Sequence, residues 1–114
     1  NYSRDFTYID NVIQANMLSL LTINEKAINT IYNVAYGDRN TLNDLINYLK
    51  EYLSEFDANI SNIHVIYGPN RIGDIPHSHA SITKAKNNLN YNPQFNLQKG
   101  LREAVKWYWK NLLN

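Results

Sequence analysis

Recognition chemistry in this chain concentrates in one loop and one arginine near its start. The loop lies within RIGDIPHSHASITKA, Arg71 to Ala85. Arg71 stands two residues before Gly73 and three before Asp74. A guanidinium is a planar fork of donors that suits phosphate oxygens. Glycine lets the backbone come close to a ligand. The Asp74 carboxylate can accept from two neighbouring hydroxyls, the pattern a ribose presents. An arginine and an aspartate across a glycine therefore make a kit for a nucleoside diphosphate. A loop arginine is by default a solvated charge, and only this company argues otherwise. Arg4, followed by Asp5 and Phe6, offers a second guanidinium.

Other candidate chemistry is thinner. Ser81-Ile82-Thr83-Lys84 has the S-x-x-K spacing of a serine nucleophile and lysine base. It has no partner motif, and Ser81 is better placed to cap a helix. His77 and His79 lie two apart and share a face in extended backbone, but no third ligand accompanies them, so no metal is expected. The four glycines, Gly37, Gly68, Gly73 and Gly100, are too scattered for a phosphate-cradling turn. No lysine has a tyrosine four residues before it.

The chain has 114 residues, enough for one ordinary domain. Its net charge of +1 gives no electrostatic case for nucleic acid or an acidic membrane surface. The nine tyrosines are not interleaved with a basic cluster and read as core and rim residues. Without cysteine there is no disulfide and no thiolate chemistry. No run is long enough to span a membrane and none reads as a signal peptide, so a cytoplasmic setting is expected. The start at Asn1, without Met, reads as a fragment of something longer.

The elements that must position these residues follow from periodicity and capping. The segment Ser3 to Ile9 is short and β-rich at its end, and Asp10 is expected to cap a helix over 11–21 with Val12, Ile13, Ala15, Met17 and Leu20 as its apolar surface. Ile31 to Tyr36 reads as a buried strand closed by Gly37, and Ile63 to Tyr67 as another ended by Gly68-Pro69. Thr41, with Asp44 three residues on, forms a capping box for the best helix, whose apolar face carries Leu42, Leu45, Ile46, Leu49, Leu53 and Phe56. Ser81 is expected to cap a helix over 82–89. Asn96 is expected to cap the last one, with Leu97, Leu101, Ala104, Val105, Tyr108 and Leu112 on its buried face. The pattern is α/β, with helices in excess over a few short strands.

Three stretches carry a resemblance: RDFTYIDNVIQANMLS (Arg4 to Ser19), YNVAYGDRNTLNDL (Tyr32 to Leu45) and YGPNRIGDIPHSHASITKAKNNLNYNP (Tyr67 to Pro93). In this order they resemble the carboxy-terminal substrate-binding lobe of an extended short-chain dehydrogenase/reductase. More narrowly, they resemble the nucleotide-sugar 4-epimerases acting on UDP-N-acetylglucosamine. Galactose epimerases, UDP-glucuronate decarboxylases and dTDP-glucose dehydratases share the R-D-[FY] element, so it does not discriminate alone.

The resemblance implies that residues 1–114 are a single carboxy-terminal domain whose Rossmann domain is absent. In such enzymes that missing domain binds NAD and carries a Tyr-x-x-x-Lys pair. A tyrosinate takes the proton of the sugar 4-hydroxyl while NAD takes hydride from C4, and the hydride returns to the opposite face after the sugar turns. By motif match, Arg4 and Arg71 grip the diphosphate, Phe6 packs near the nucleoside, Asp74 holds the ribose and Ser78 faces the sugar. The implied partners are a UDP-sugar and the missing Rossmann domain, and the implied assembly of the parent is a homodimer. The chain alone is expected to be inactive, with no cofactor of its own. Two other readings stay open: the same lobe of a sibling dehydratase or decarboxylase, and a stand-alone nucleotide-sugar-binding or interaction module.

Overall fold

A computed structural model describes residues 2–112; Asn1 and the last two residues of the 1–114 domain assignment lie outside the described residues. The described chain runs β1 (Ser3–Arg4), α1 (Ile9–Leu21), β2 (Asn40–Thr41), α2 (Leu42–Ser54), a 3-10 turn (Ala58–Asn62), α3 (Thr83–Leu89) and α4 (Leu97–Leu112). Helices outweigh strands, as the sequence pattern implies. β1 and β2 pair antiparallel, Ser3 opposite Thr41 and Arg4 opposite Asn40. On its other side Ser3 makes a parallel bridge with His77. Ser3 is thus the middle rung of three passing chains, and it is buried.

The capping box at Thr41 forms as the sequence predicts. The Asp44 amide donates to Thr41 Oγ1 at 3.0 Å, and the Thr41 amide donates to Asp44 Oδ2 at 2.8 Å. These bonds hold the Asp44 carboxyl below the usual carboxylate range, the side-chain bond from Thr41 first and its backbone bond second. Asn96 also caps as expected, accepting from the Lys99 amide at 2.9 Å.

Other local expectations are corrected. α1 begins at Ile9 with Tyr8 as its N-cap and no side-chain cap, and Asp10 lies in the first turn. Ser81 does not cap α3; Ile82 holds that position, and the Ser81 hydroxyl donates to Thr83 Oγ1 at 3.4 Å. Neither predicted strand forms. A strand needs a neighbouring backbone, and among the described residues neither Ile31–Tyr36 nor Ile63–Tyr67 enters a ladder. Ile31 is 87% exposed and Ile66 93%.

Two packed regions hold the chain together. In the first, Ala15, Ala35, Ile82, Ala85 and Tyr91 form a buried cluster that joins α1 to α3. The Tyr91 hydroxyl donates to the Ala35 carbonyl at 2.7 Å. Burial, and secondarily the Asp5 charge, push its pKa up. Asn11, fully buried, anchors the segment leading into α4. Its Nδ2 donates to the Phe95 carbonyl at 2.7 Å, and its Oδ1 accepts from the Gln94 and Phe95 amides at 3.0 and 3.2 Å.

In the second region α2 packs on α4. Phe56 stacks on Trp109 and Tyr48 on Tyr52, while Arg102 lies over the Tyr52 ring. Gly100 permits the close passage of α4 over Tyr8, since a Cβ there would stand 2.6 Å from Tyr8 Cβ. The apolar stripe of α1 is only partly used. Ala15 is buried, but Ile13, Met17 and Leu20 are exposed. On α4, Tyr108 and Leu112 are likewise exposed, against the face expected for them.

Candidate functional site

β1 gathers the candidate residues. It is too short to be stable alone and is held from both sides. The Ser3 amide donates to the Pro76 carbonyl at 2.9 Å, and the Ser78 amide donates to the Ser3 carbonyl at 3.1 Å. Ser3 Oγ and His77 Nδ1 share a hydrogen bond of 2.8 Å. The segment that follows Asp74 is therefore laid along β1 through a single parallel bridge at His77. This fixes one end of the Arg71–Ser78 loop, while Gly73 turns it at φ +83, where a side chain would be strained.

Arg4 extends the attachment. Its Nη1 donates to the Ser3 carbonyl at 2.8 Å and to the Pro76 carbonyl at 3.4 Å. Its Nη2 donates to Asp74 Oδ1 at 3.0 Å, an ion pair between residues 70 apart in the chain. Both side chains stay partly exposed. The sequence reading gives Arg4 and Asp74 separate ligand contacts, and in the structure they are also each other's partners.

Asp5, given no role in the sequence reading, ties the same strand to the second motif. Its Oδ2 accepts from the Gly37 amide at 3.0 Å and its Oδ1 from the Tyr36 amide at 3.2 Å. Gly37 has φ +90, and a Cβ there would come within 2.9 Å of Ile82 Cδ1. The R-D pair and the Y-G pair are thus two halves of one joint. The signal in the sequence was an acidic residue beside Arg4 and a glycine closing an apolar run.

A cleft of about 580 Å³ opens between the start of α2 and the segment leading into the loop, and Tyr2, Asn43, Tyr67, Asn70, Arg71 and Asp74 are among its lining residues. Arg71 and Asp74 therefore share a wall. The Tyr67 hydroxyl contacts Asn43 Oδ1 across the cleft at 3.4 Å. Tyr2 lies beside the Arg4 guanidinium, 5.9 Å from its ring centroid. Sequence reasoning missed Tyr2 and Asn43, because nothing in their local spacing marks them.

Ser78 is exposed at the far end of the loop, where its amide is bound to Ser3. Phe6 is not brought to this cleft. It lines a separate one of about 200 Å³ with Leu45, Leu97 and Leu101. Lys84 does not reach Ser81 but donates to Thr30 Oγ1 and to the Ile31 carbonyl, which leaves the S-x-x-K spacing without catalytic geometry. Among the described residues no three His, Asp or Glu side chains gather as a metal site, and no helix is long and apolar enough to cross a membrane.

A strand-pinned loop with Arg and Asp on one wall, in a helical lobe with a vestigial sheet, defines a class when set beside known proteins. No family model matches the chain. A UDP-glucose 4-epimerase of Thermotoga maritima, solved with UDP-glucose, superposes with a TM-score of 0.81 at 33% identity, over 97% of this chain and 33% of that one. A UDP-N-acetylglucosamine 4-epimerase of Methanobrevibacter ruminantium, solved with UDP-N-acetylmuramic acid, gives 0.79 at 34% identity, over 96% of this chain and 32% of that one. UDP-glucuronate 4-epimerase 4 of Arabidopsis thaliana is 31% identical over 93% of this chain and 25% of its own length. NAD-bound epimerases are among the other structural neighbours.

The proteins that this chain resembles are UDP-sugar 4-epimerases of the extended short-chain dehydrogenase/reductase family. The chain spans about a quarter to a third of the length of the proteins it matches, consistent with a carboxy-terminal lobe.

Proposed function

We propose that residues 1–114 are the substrate-binding lobe of an NAD-dependent 4-epimerase that interconverts UDP-N-acetylglucosamine and UDP-N-acetylgalactosamine. The observation that carries the reading is the shared wall: Arg71 and Asp74 line one cleft, and Asp74 is paired to Arg4. In this reading Arg71 and Arg4 face the diphosphate, Asp74 the ribose hydroxyls and Ser78 the sugar. Phe6 lines the other cleft and enters only through the motif match. The lobe holds the nucleotide so that an oxidised sugar can turn without leaving.

The chain's own residues do not fit NAD. None of the four glycines makes a phosphate-binding turn: Gly100 sits inside α4 against Tyr8, Gly37 is bound to Asp5, and Gly68 and Gly73 stand in the open loop. No Tyr-x-x-x-Lys pair is present. Hydride transfer and the catalytic base therefore belong to the remainder of the proposed parent, and no step is assigned to this chain beyond binding and orientation. The exposed apolar residues of α1, with the exposed Ile31, are the surface on which that remainder docks. A cytoplasmic, homodimeric parent completes the proposal.

A second reading has support in the relatives, since UDP-glucuronate 4-epimerases recur among them. It keeps the nucleotide contacts and changes only the sugar.

The test is turnover. Full-length protein supplied with NAD and UDP-N-acetylglucosamine should yield the 4-epimer by chromatography, whereas the 114-residue chain alone should yield none. Turnover by the chain alone, or none by the full-length protein with any UDP-hexosamine, would contradict the proposal.

A further inference from the structure

Arg4 makes more contacts within the protein than a phosphate-binding arginine requires. Its two terminal nitrogens reach the Ser3 carbonyl, the Pro76 carbonyl and the Asp74 carboxylate at 2.8, 3.4 and 3.0 Å. Two of these three partners lie on the loop. Of the other attachments between β1 and the loop, two are main-chain bonds of Ser3 and one joins the Ser3 hydroxyl to His77. Arg4 thus supplies the side-chain contact nearest Gly73 and Arg71. The stretch from Ile63 to His79 is exposed throughout, so burial does not hold it in place. Lys50 donates to the Ile63 carbonyl and Tyr67 to Asn43 at its start, and the Arg71–Ser78 end is held by this short ladder.

The geometry points to Arg4 as a positioning residue that clamps the Arg71–Ser78 loop to β1 and orients the Asp74 carboxylate for the ribose. This deepens the proposed nucleotide-sugar reading and rests on it for the identity of the ligand alone. A carboxylate accepting from a guanidinium on one oxygen keeps its other oxygen for a ligand hydroxyl. The same guanidinium retains unassigned N–H donors on Nη2 and Nε, so one side chain links the ribose contact to the phosphate contact. The pair is close to neutral, which leaves Arg71 as the main source of attraction for the diphosphate. Lysine cannot substitute, because a single ammonium does not reproduce a fork that spans two carbonyls and a carboxylate.

The clamp and a simple phosphate contact predict different losses. A phosphate ligand matters only when phosphate is present. A clamp matters for uridine as well. The full-length protein and its Arg4→Ala, Arg4→Lys, Asp74→Ala and Arg4→Ala/Asp74→Ala variants should be compared in two measurements. The first is amide hydrogen exchange at Ser78, whose N–H is held by the Ser3 carbonyl. The second is the affinity for uridine and for UDP.

Arg4→Ala should speed exchange at Ser78 by about five- to tenfold, the loss expected for a charge-assisted bond at a partly exposed site. Arg4→Lys should not restore it. Uridine affinity should fall by a similar factor in Arg4→Ala, and the double variant should lose little more than the worse single one. Unchanged Ser78 exchange in Arg4→Ala overturns the clamp. So does a loss confined to UDP with uridine unaffected. If the unaltered protein binds neither uridine nor UDP, the nucleotide reading fails, and the exchange measurement alone decides the clamp. Should Arg4→Ala not fold, Asp74→Asn removes the ion pair at constant shape, and faster Ser78 exchange there is again required.

Discussion

At the scale of single residues, Ser78 is the position where the substrate assignment can be broken. It is small, exposed and held by its backbone at the end of the loop. In the proposed reading, a serine here leaves room for an acetamido group and offers a hydroxyl to bond it. A ring in that space excludes the larger sugar while leaving the smaller one little affected. Ser78→Tyr in the full-length enzyme should lower kcat/KM for UDP-N-acetylglucosamine by about tenfold or more relative to UDP-glucose. Equal losses for both sugars would place Ser78 outside the pocket.

Asp5 belongs to the same scale and was not legible beforehand. It binds amides rather than ligand, and such a role depends on a chain segment 32 residues away. Asp5→Ala leaves the Tyr36 and Gly37 amides unmatched, and denaturant unfolding should show a loss of about 1–3 kcal/mol. Arg71, Gly73 and Asp74 could be singled out because they lie close together in one loop. The Arg4–Asp74 pairing could not, since sequence spacing carries no information on which distant loop β1 will meet.

At the scale of elements, the helices were readable and the strands were not. Thr41 and Asp44 form a reciprocal cap whose parts lie within one turn, so the sequence contains the whole of it. Thr41→Ala should cost about 1 kcal/mol of stability. The same cap has a pH signature. The folded-state pKa of Asp44 lies below its unfolded value. Its contribution is therefore fully present above the unfolded pKa and is lost as pH falls through the folded one. Acid titration of unfolding should show this loss below the ordinary carboxylate range, and Thr41→Ala should reduce it. An unchanged acid limb in Thr41→Ala would contradict the cap's role.

The runs Ile31–Tyr36 and Ile63–Tyr67 have strand composition but no strand beside them. Pairing is a property of two segments, and among the described residues neither run meets a second one. Gly100 is fixed by a tertiary contact. An isolated helical glycine looks like a site to improve with alanine, a gain of about 0.5–1 kcal/mol. Here the added Cβ would meet Tyr8 Cβ at 2.6 Å, and overpacking of that kind costs about 1–3 kcal/mol. Gly100→Ala should lower the melting temperature; a rise would mean that Tyr8 moves aside freely.

At the scale of the whole molecule, the chain is flat and extended. Its radius of gyration is 17.1 Å and its extents are 53 × 36 × 19 Å. A self-contained domain of this length would have a radius near about 13 Å. The excess goes with the exposed apolar stripe of Ile9, Ile13, Met17 and Leu20 on α1. Surface of that kind drives association. Light scattering on the isolated chain should show weight growing with concentration, and charged substitutions at Ile13 and Met17 should suppress it. A strict monomer at high concentration would argue that the stripe is too dispersed to act as a docking face.

The central claim is that the strand-pinned loop holds a nucleotide sugar. Titration of UDP-N-acetylglucosamine into the isotopically labelled chain, followed by amide chemical shifts, tests it most directly. One wall of a cleft lacks the contacts and preorganisation of the other, so affinity should be weak, with a dissociation constant on the order of millimolar, about −4 kcal/mol. The account predicts that the shifts concentrate on Arg71, Gly73, Asp74 and Ser78, and that they shrink with added salt and in Arg71→Ala. Shifts clustered instead around Phe6 and Leu101, or no change at saturating ligand, would contradict it.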